Sequence, residues 1–301
     1  MPYSYIFGIL ETDFSFFCWK MTYCDSHIHL SECRAFPSLP RGEKYLCVSS
    51  CRSREDFEFL SGASAAERRP GYPRFRAPAL HSSAPLQNGF AAAPIPCALA
   101  SFGIHPQDVC QSYIKKSLET DIAYLESLLS GHKIAAVGEC GLDFFTPEGK
   151  STAAEQEIVF ERQLALAKKH SVPLVLHLRK SIDKAFSYSG ALKGLRAVVF
   201  HSFPGTLNEA LSLLRRGINA FFSFGKPVLN GKKSALDCVS GLPVRRLLFE
   251  TDAPYQALRG EDVTRPDDIK RVYAGACELR RVALEELCAS VEENFLRAFY
   301  F

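Results

Sequence analysis

Two histidines two residues apart, His27 and His29, sit in the stretch Cys24-Asp25-Ser26-His27-Ile28-His29-Leu30. Side chains alternate along an extended backbone, so the pair shares one face at the end of a short strand. One cation can take an imidazole nitrogen from each. A His-x-His on its own is more often a pair of polar loop residues. Here four more ligand types recur in the same setting: Glu139, His177, His201 and Asp252 each follow an apolar run. Four imidazoles and two carboxylates exceed what one tetrahedral site with an open position needs. They suit two divalent cations a short distance apart, with Glu139 as the bridging carboxylate.

The elements that must position these residues are short apolar runs. Eight strand candidates lie near residues 22, 45, 99, 135, 174, 198, 219 and 247. Helical apolar periods separate most of them, at 54–60, 118–129, 155–169 and 207–216, and two more helices follow at 268–280 and 284–299. Apolar runs without alternation fit a parallel sheet covered on both faces. Eight of them with intervening helices predict a single-domain α/β fold, a (β/α)8 TIM barrel. In such a barrel the C-terminal strand ends converge on one rim, where active sites are built. The spacing therefore predicts that the six ligand types each follow directly on a strand and meet there.

On that rim, His27, His29 and Asp252 come from the first and last strands and would hold one ion. His177 and His201, with Glu139, would hold the other. A paired site lowers the pKa of a water and clamps the attacking and leaving oxygens of an in-line displacement. Asp252 is placed to orient or deprotonate that water, with Glu139 beside it. Phosphoesters, amides and lactones are the substrates this chemistry allows. Mixed nitrogen and oxygen ligands leave Mg2+, Mn2+ and Zn2+ all open.

Composition narrows the class. The chain has 301 residues, 47% hydrophobic and 23% charged, which fits one large globular domain. A net charge of +3 is compatible with an anionic substrate without demanding one. Eleven cysteines carry no Cys-x-x-Cys pairing, so they read as small buried hydrophobes of a reducing compartment. No apolar run reaches the length of a membrane span. No basic segment precedes the aromatic-rich start, so no signal peptide is expected. These signals together predict a cytoplasmic protein. Residues 1–20 are expected to be a disordered extension or a mis-assigned start, with Met21 beginning a 21–301 hydrolase domain. Between the second and third strands, 61–96 reads as a Pro- and Ala-rich surface insertion, with prolines at 70, 73, 78, 85, 94 and 96. Its stretch from Arg68 to Arg76 mixes cations with aromatics, either as a single-strand nucleic-acid contact or as a solvated basic loop.

At the level of motifs, the chain resembles the TatD-like metal-dependent hydrolases, a branch of the amidohydrolase superfamily that includes deoxyribonucleases. The matching stretches begin with Asp25-Ser26-His27-Ile28-His29, Gly103-Ile104-His105-Pro106 and Gly138-Glu139-Cys140-Gly141-Leu142-Asp143. They continue with Gln156, Phe160, Gln163 and Leu164, then Pro173 to Arg179, His201-Ser202-Phe203-Pro204-Gly205 and Glu250-Thr251-Asp252-Ala253-Pro254-Tyr255. Carried over residue by residue, the family's metal ligands fall on the same His27, His29, Glu139, His177, His201 and Asp252. The resemblance also implies DNA as substrate, hydrolysed at strand ends or on single strands. It implies a substrate-side role for His105, which the sequence alone reads as a supporting residue. Arg179 stands as a phosphate contact or a surface ion pair, and Glu250 as a brace for the last strand.

Two departures bear on substrate choice. The family's Asn-Glu-Pro segment is replaced by Thr264-Arg265-Pro266-Asp267, and the 61–96 insertion is longer than usual. Two alternatives therefore stand beside a deoxyribonuclease: a metal-dependent amide, lactone or small-ester hydrolase, and a non-catalytic nucleic-acid-binding barrel. Neither a protein partner nor an oligomeric state can be inferred from the sequence.

Overall fold

The computed structural model describes residues 21–33, 44–61 and 98–300. The expected 1–20 extension lies outside them, as does all of the 61–96 insertion except Ser61.

Eight strands form one sheet in chain order: β1 (Thr22–Ile28), β2 (Lys44–Cys51), β3 (Ala98–Phe102), β4 (Ala136–Asp143), β5 (Leu174–Arg179), β6 (Val198–Phe200), β7 (Ala220–Phe224) and β8 (Leu247–Phe249). Every paired neighbour is parallel. The seam between β8 and β1 is joined by two backbone bonds, from Asp252 N to the His27 carbonyl (3.0 Å) and from His29 N to the Ala253 carbonyl (2.9 Å). The eight parallel strands thus make a nearly closed TIM barrel. Strand residues are buried almost throughout, which explains why the strands read as unbroken apolar runs.

The helices are α1 (Arg54–Ser61), α2 (Gln111–Lys116), α3 (Leu118–Ser130), α4 (Pro147–Ser151), α5 (Ala153–Lys169), α6 (Ile182–Ser187), α7 (Ser189–Lys193), α8 (Leu207–Arg215), α9 (Lys233–Gly241), α10 (Ile269–Arg280) and α11 (Leu284–Phe299). They pack their apolar faces on the outside of the sheet. The helix α10 is pinned to β1 by Tyr273, whose hydroxyl accepts from Cys24 N and donates to the Cys24 carbonyl, 3.1 Å in each case. Among the described residues no helix is long and apolar enough to cross a membrane.

One expectation about placement is corrected. His27, Glu139 and His177 lie within β1, β4 and β5 rather than directly after them. An apolar run stops where a polar side chain turns inward, but backbone pairing continues past it. In β4 the ladder to β5 shifts register between Val137 and Cys140 and then resumes as far as Asp143. Gly138 (φ 131°) and Gly141 (φ 143°) flank Glu139 and Cys140 there. A Cβ at Gly141 would run into the His177 backbone, so glycine is what lets the two strands approach.

Candidate metal centre

Alternation along β1 aims Asp25 and His27 to the same side, with His29 just beyond the strand end. Asp25 does not join the site. It is fully buried, accepts from Thr251 N (3.0 Å), Thr251 Oγ1 (2.7 Å) and Tyr45 OH (3.0 Å), and so ties β1 to β2 and to the segment after β8. Burial pushes its carboxyl up to about 7, against the pull of those hydrogen bonds.

His27 and His29 turn their Nε2 atoms toward each other at 3.2 Å. Asp252 Oδ1 lies 3.5 Å from both. Glu139 stands between two groups of imidazoles. Its Oε2 faces His27 Nε2 (3.2 Å) and His29 Nε2 (3.7 Å). Its Oε1 faces His177 Nδ1 (2.5 Å), His105 Nε2 (3.3 Å) and His201 Nε2 (3.4 Å). Three sets of potential ligand atoms fall within 4.8 Å of one another: His27, His29 and Asp252; His27, Glu139 and His201; His105, Glu139 and His177.

The structure therefore brings all six sequence-predicted ligand types together, and His105 with them. The grouping differs from the expected one in two ways. His201 also sits against His27, with ring centroids 3.8 Å apart. His105, expected in a substrate-side role, shares Glu139 Oε1 with His177.

Electrostatics follow from this crowding. Desolvation alone would raise Glu139 and Asp252, but the surrounding imidazoles outweigh it. His105, His27 and His201 hold Glu139 well below the usual carboxylate range, and His201 with His29 holds Asp252 at about 2. Burial would lower His201, yet Glu250, Glu139 and Asp252 raise it to about 10. Burial and the neighbouring His201 lower His27. A charged carboxylate taken out of water costs several kcal/mol unless cations or donors surround it, so this cluster needs positive charge at its centre. Imidazole nitrogens and carboxylate oxygens that converge in three overlapping sets, each within 4.8 Å, are a donor set that fits divalent cations.

Several positioning residues were not visible as such in the sequence. Glu250 is fully buried, accepts from Ser202 N at 2.8 Å and lies 3.1 Å from His201 Nδ1. Asp143 lies 3.4 Å from His177 Nε2 and accepts from Gln107 Nε2 at 2.8 Å. Gln256 Nε2 donates to Asp252 Oδ2 at 2.8 Å. Two buried glutamines on one face of α5 hold the loops beneath. Gln163 bonds both the N–H (2.7 Å) and the carbonyl (3.0 Å) of Ile104, next to His105. Gln156 does the same for Asp143, at 2.8 and 3.2 Å. Both glutamines belong to the quoted motifs, and their seven-residue spacing on a helix was the available signal.

Above the cluster opens a cleft of about 470 Å3, whose rim carries Arg52, Arg179, Lys232 and Tyr255. Arg179 is exposed, 4.0 Å from Asp143 and stacked over Phe145 with 3.6 Å between guanidinium carbon and ring centroid. Arg52 donates from Nη2 to both carboxylate oxygens of Asp108, 2.9 Å in each case. The rim thus carries three cationic side chains above the cluster of imidazoles and carboxylates.

The chain resembles known proteins over most of its length. It is 32% identical over 206 residues (66% of this chain, 76% of the relative) to a protein of Bacillus subtilis named uncharacterized metal-dependent hydrolase YabD. It is 35% identical over 159 residues (52% of this chain, 58% of the relative) to the 3'-5' ssDNA/RNA exonuclease TatD of Edwardsiella piscicida. The crystal structure of the TatD homologue YjjV of Escherichia coli superposes with a TM-score of 0.70 at 26% identity, covering 93% of this chain and 98% of that one. A profile of the family described as TatD related DNase matches residues 74–300, so the chain belongs to that family of metal-dependent hydrolases.

Proposed function

We propose that the protein is a phosphodiesterase that cleaves single-stranded DNA with two divalent ions held at the barrel rim. The observation that carries this is Glu139, whose two oxygens face different groups of imidazoles. His27, His29 and Asp252 would hold one ion, and His177 and His201 the other, with Glu139 shared between them. Ions bound there would lower the pKa of a water and neutralise charge on a phosphate.

The chain's own residues supply the rest. Asp252 stays ionised at neutral pH and would orient a water at the ions, and Gln256 Nε2 fixes its carboxylate by donating to Oδ2. His105, on the other side of Glu139 Oε1, is set to hold a substrate oxygen or to steady His177. Arg52, Arg179 and Lys232 meet the phosphates that follow along a strand. A relative named 3'-5' ssDNA/RNA exonuclease supports strand-end cleavage as the mode.

The test strips the protein with chelator and reloads it with Mg2+, Mn2+ or Zn2+ before offering end-labelled single-stranded DNA, a chromogenic phosphodiester and a lactone. Cleavage that requires metal and shortens DNA from one end is expected. Asp252→Asn should lower kcat on DNA by about a hundredfold or more while metal remains bound. Lactone turnover without DNA cleavage, or equal DNA cleavage by wild type and Asp252→Asn, overturns the reading.

A further inference from the structure

Beside the cleft an aromatic ring stands half in water. Phe145 is 50% exposed, the most open of the large hydrophobic side chains among the described residues. A lone exposed apolar residue needs no explanation, so its surroundings decide whether this one has a use. One face lies against the Arg179 guanidinium, and Arg179 is also part of the rim cleft above the ligand cluster. Phe145 itself lines a second, shallower cleft of about 570 Å3, together with Phe144, Lys150, Ala153 and Lys180. The stacked pair thus joins the two clefts, Arg179 lining the first and Phe145 the second. Both charged residues lining the second one are lysines, and both are exposed.

The ligand-bearing strands fix this arrangement. Phe145 leaves the end of β4, and its N–H donates to Asp143 Oδ1 at 2.9 Å, while Asp143 Oδ2 faces His177. Phe144 N donates to the Arg179 carbonyl at 2.8 Å, which binds the two segments together. Lys180, one residue on, takes a left-handed conformation (φ 59°) and turns the chain away from β5 toward the second cleft. A planar, anionic group leaving the ligand cluster past Arg179 would therefore meet an aromatic face and then two cations.

We propose that Phe145, Lys150 and Lys180 form a nucleotide subsite next to the cleavage site, in which a base stacks on the Phe145 ring and the two lysines meet its phosphate. The inference rests on the nuclease reading above and extends it to how a strand is held. Stacking suits a strand of any sequence, because every base presents a π-face. Arg179, already over the ring, holds that ring in place and extends the stack. The volume of the second cleft is within the range of small-ligand sites.

The test measures kcat/KM for oligothymidylates of two, four and eight nucleotides, using metal-loaded enzyme, alongside a chromogenic phosphodiester. Wild type should gain on lengthening the substrate from two to four nucleotides. Phe145→Ala should cut the ratio of tetranucleotide to dinucleotide kcat/KM by about tenfold, and Phe145→Trp should keep it. The double variant Lys150→Glu, Lys180→Glu should weaken binding of the octanucleotide to chelator-treated protein and flatten its salt dependence by about one to two in slope. An unchanged length ratio in Phe145→Ala, with wild type cleaving every length, overturns the subsite and leaves the nuclease reading standing. Hydrolysis of the chromogenic diester without cleavage of any oligonucleotide overturns the nuclease reading and the subsite with it.

Discussion

Glu250 sits wholly out of water, with Oε1 engaged by Ser202 N and His201 and Oε2 left without a hydrogen-bond partner. A carboxylate in that position is kept for what it does to His201. A metal-binding imidazole needs its second nitrogen oriented, and a carboxylate there raises its basicity. Glu250→Gln keeps an acceptor for Ser202 N–H but removes the charge. Metal affinity measured by competition with a chromophoric chelator should then fall about ten- to hundredfold, with unfolding little changed. Affinity equal to wild type would reduce Glu250 to a brace for β8. At this scale the ligand types were legible in the sequence because each ends an apolar run. Asp143 and Gln107 were not legible, because their roles arise from contacts made 36 residues apart. Nothing local distinguishes such a carboxylate from one on a solvated loop. The place of His105, against Glu139 Oε1, was likewise out of reach without the distance.

The loops that carry these residues depend on α5, a 17-residue helix whose buried face includes two amides as well as hydrocarbon. Gln163 is fully buried and satisfies both backbone groups of Ile104. Gln163→Leu would fill the space but leave a buried N–H and a buried carbonyl unpaired. The expected cost is about 1–3 kcal/mol in urea unfolding. A fall in kcat/KM on DNA beyond what that loss explains is expected as well, because His105 follows Ile104 directly. Loss of stability with unchanged kcat/KM would show that the Ile104 clamp does not reach the site. Element by element, all eight strands were legible, since buried parallel strands read as short continuous apolar runs. The long helices were legible from their period. Helices α2, α4, α6 and α7, of five or six residues, were not, because so short a segment completes too few turns to show one, and the nine-residue α9 was missed as well. The strand ends were displaced for a related reason: polar residues turned into the barrel look like termination signals.

Over the whole molecule, the barrel closes at its weakest seam where the proposed ions would sit. The β8–β1 junction has two backbone bonds, Asp252 N to His27 O and His29 N to Ala253 O, reinforced by Asp25 holding Thr251. His27, His29 and Asp252 lie on the two sides of that seam, and Glu139 reaches it from across the barrel. A cation shared by these groups would staple the seam and cancel repulsion among buried charges, so ion binding is coupled to the stability of the native barrel. A ligand that binds only the folded state at a hundred times its Kd contributes about 2.7 kcal/mol. For a domain of this size that corresponds to a rise in Tm of about 5 °C or more. Stripping the protein with chelator should lower Tm by that amount and speed amide hydrogen exchange at His29 and Asp252 more than in β3 or β7, which carry none of the six proposed ligands. Restoring the divalent ion should reverse both effects. If chelation leaves Tm and the seam amides unchanged, the imidazoles and carboxylates neutralise one another without a cation, and the two-ion assignment falls. If Tm drops but exchange rises uniformly, ions bind without bridging β8 and β1, and Asp252 is free of the first site. The seam amides therefore test the grouping of ligands independently of catalysis.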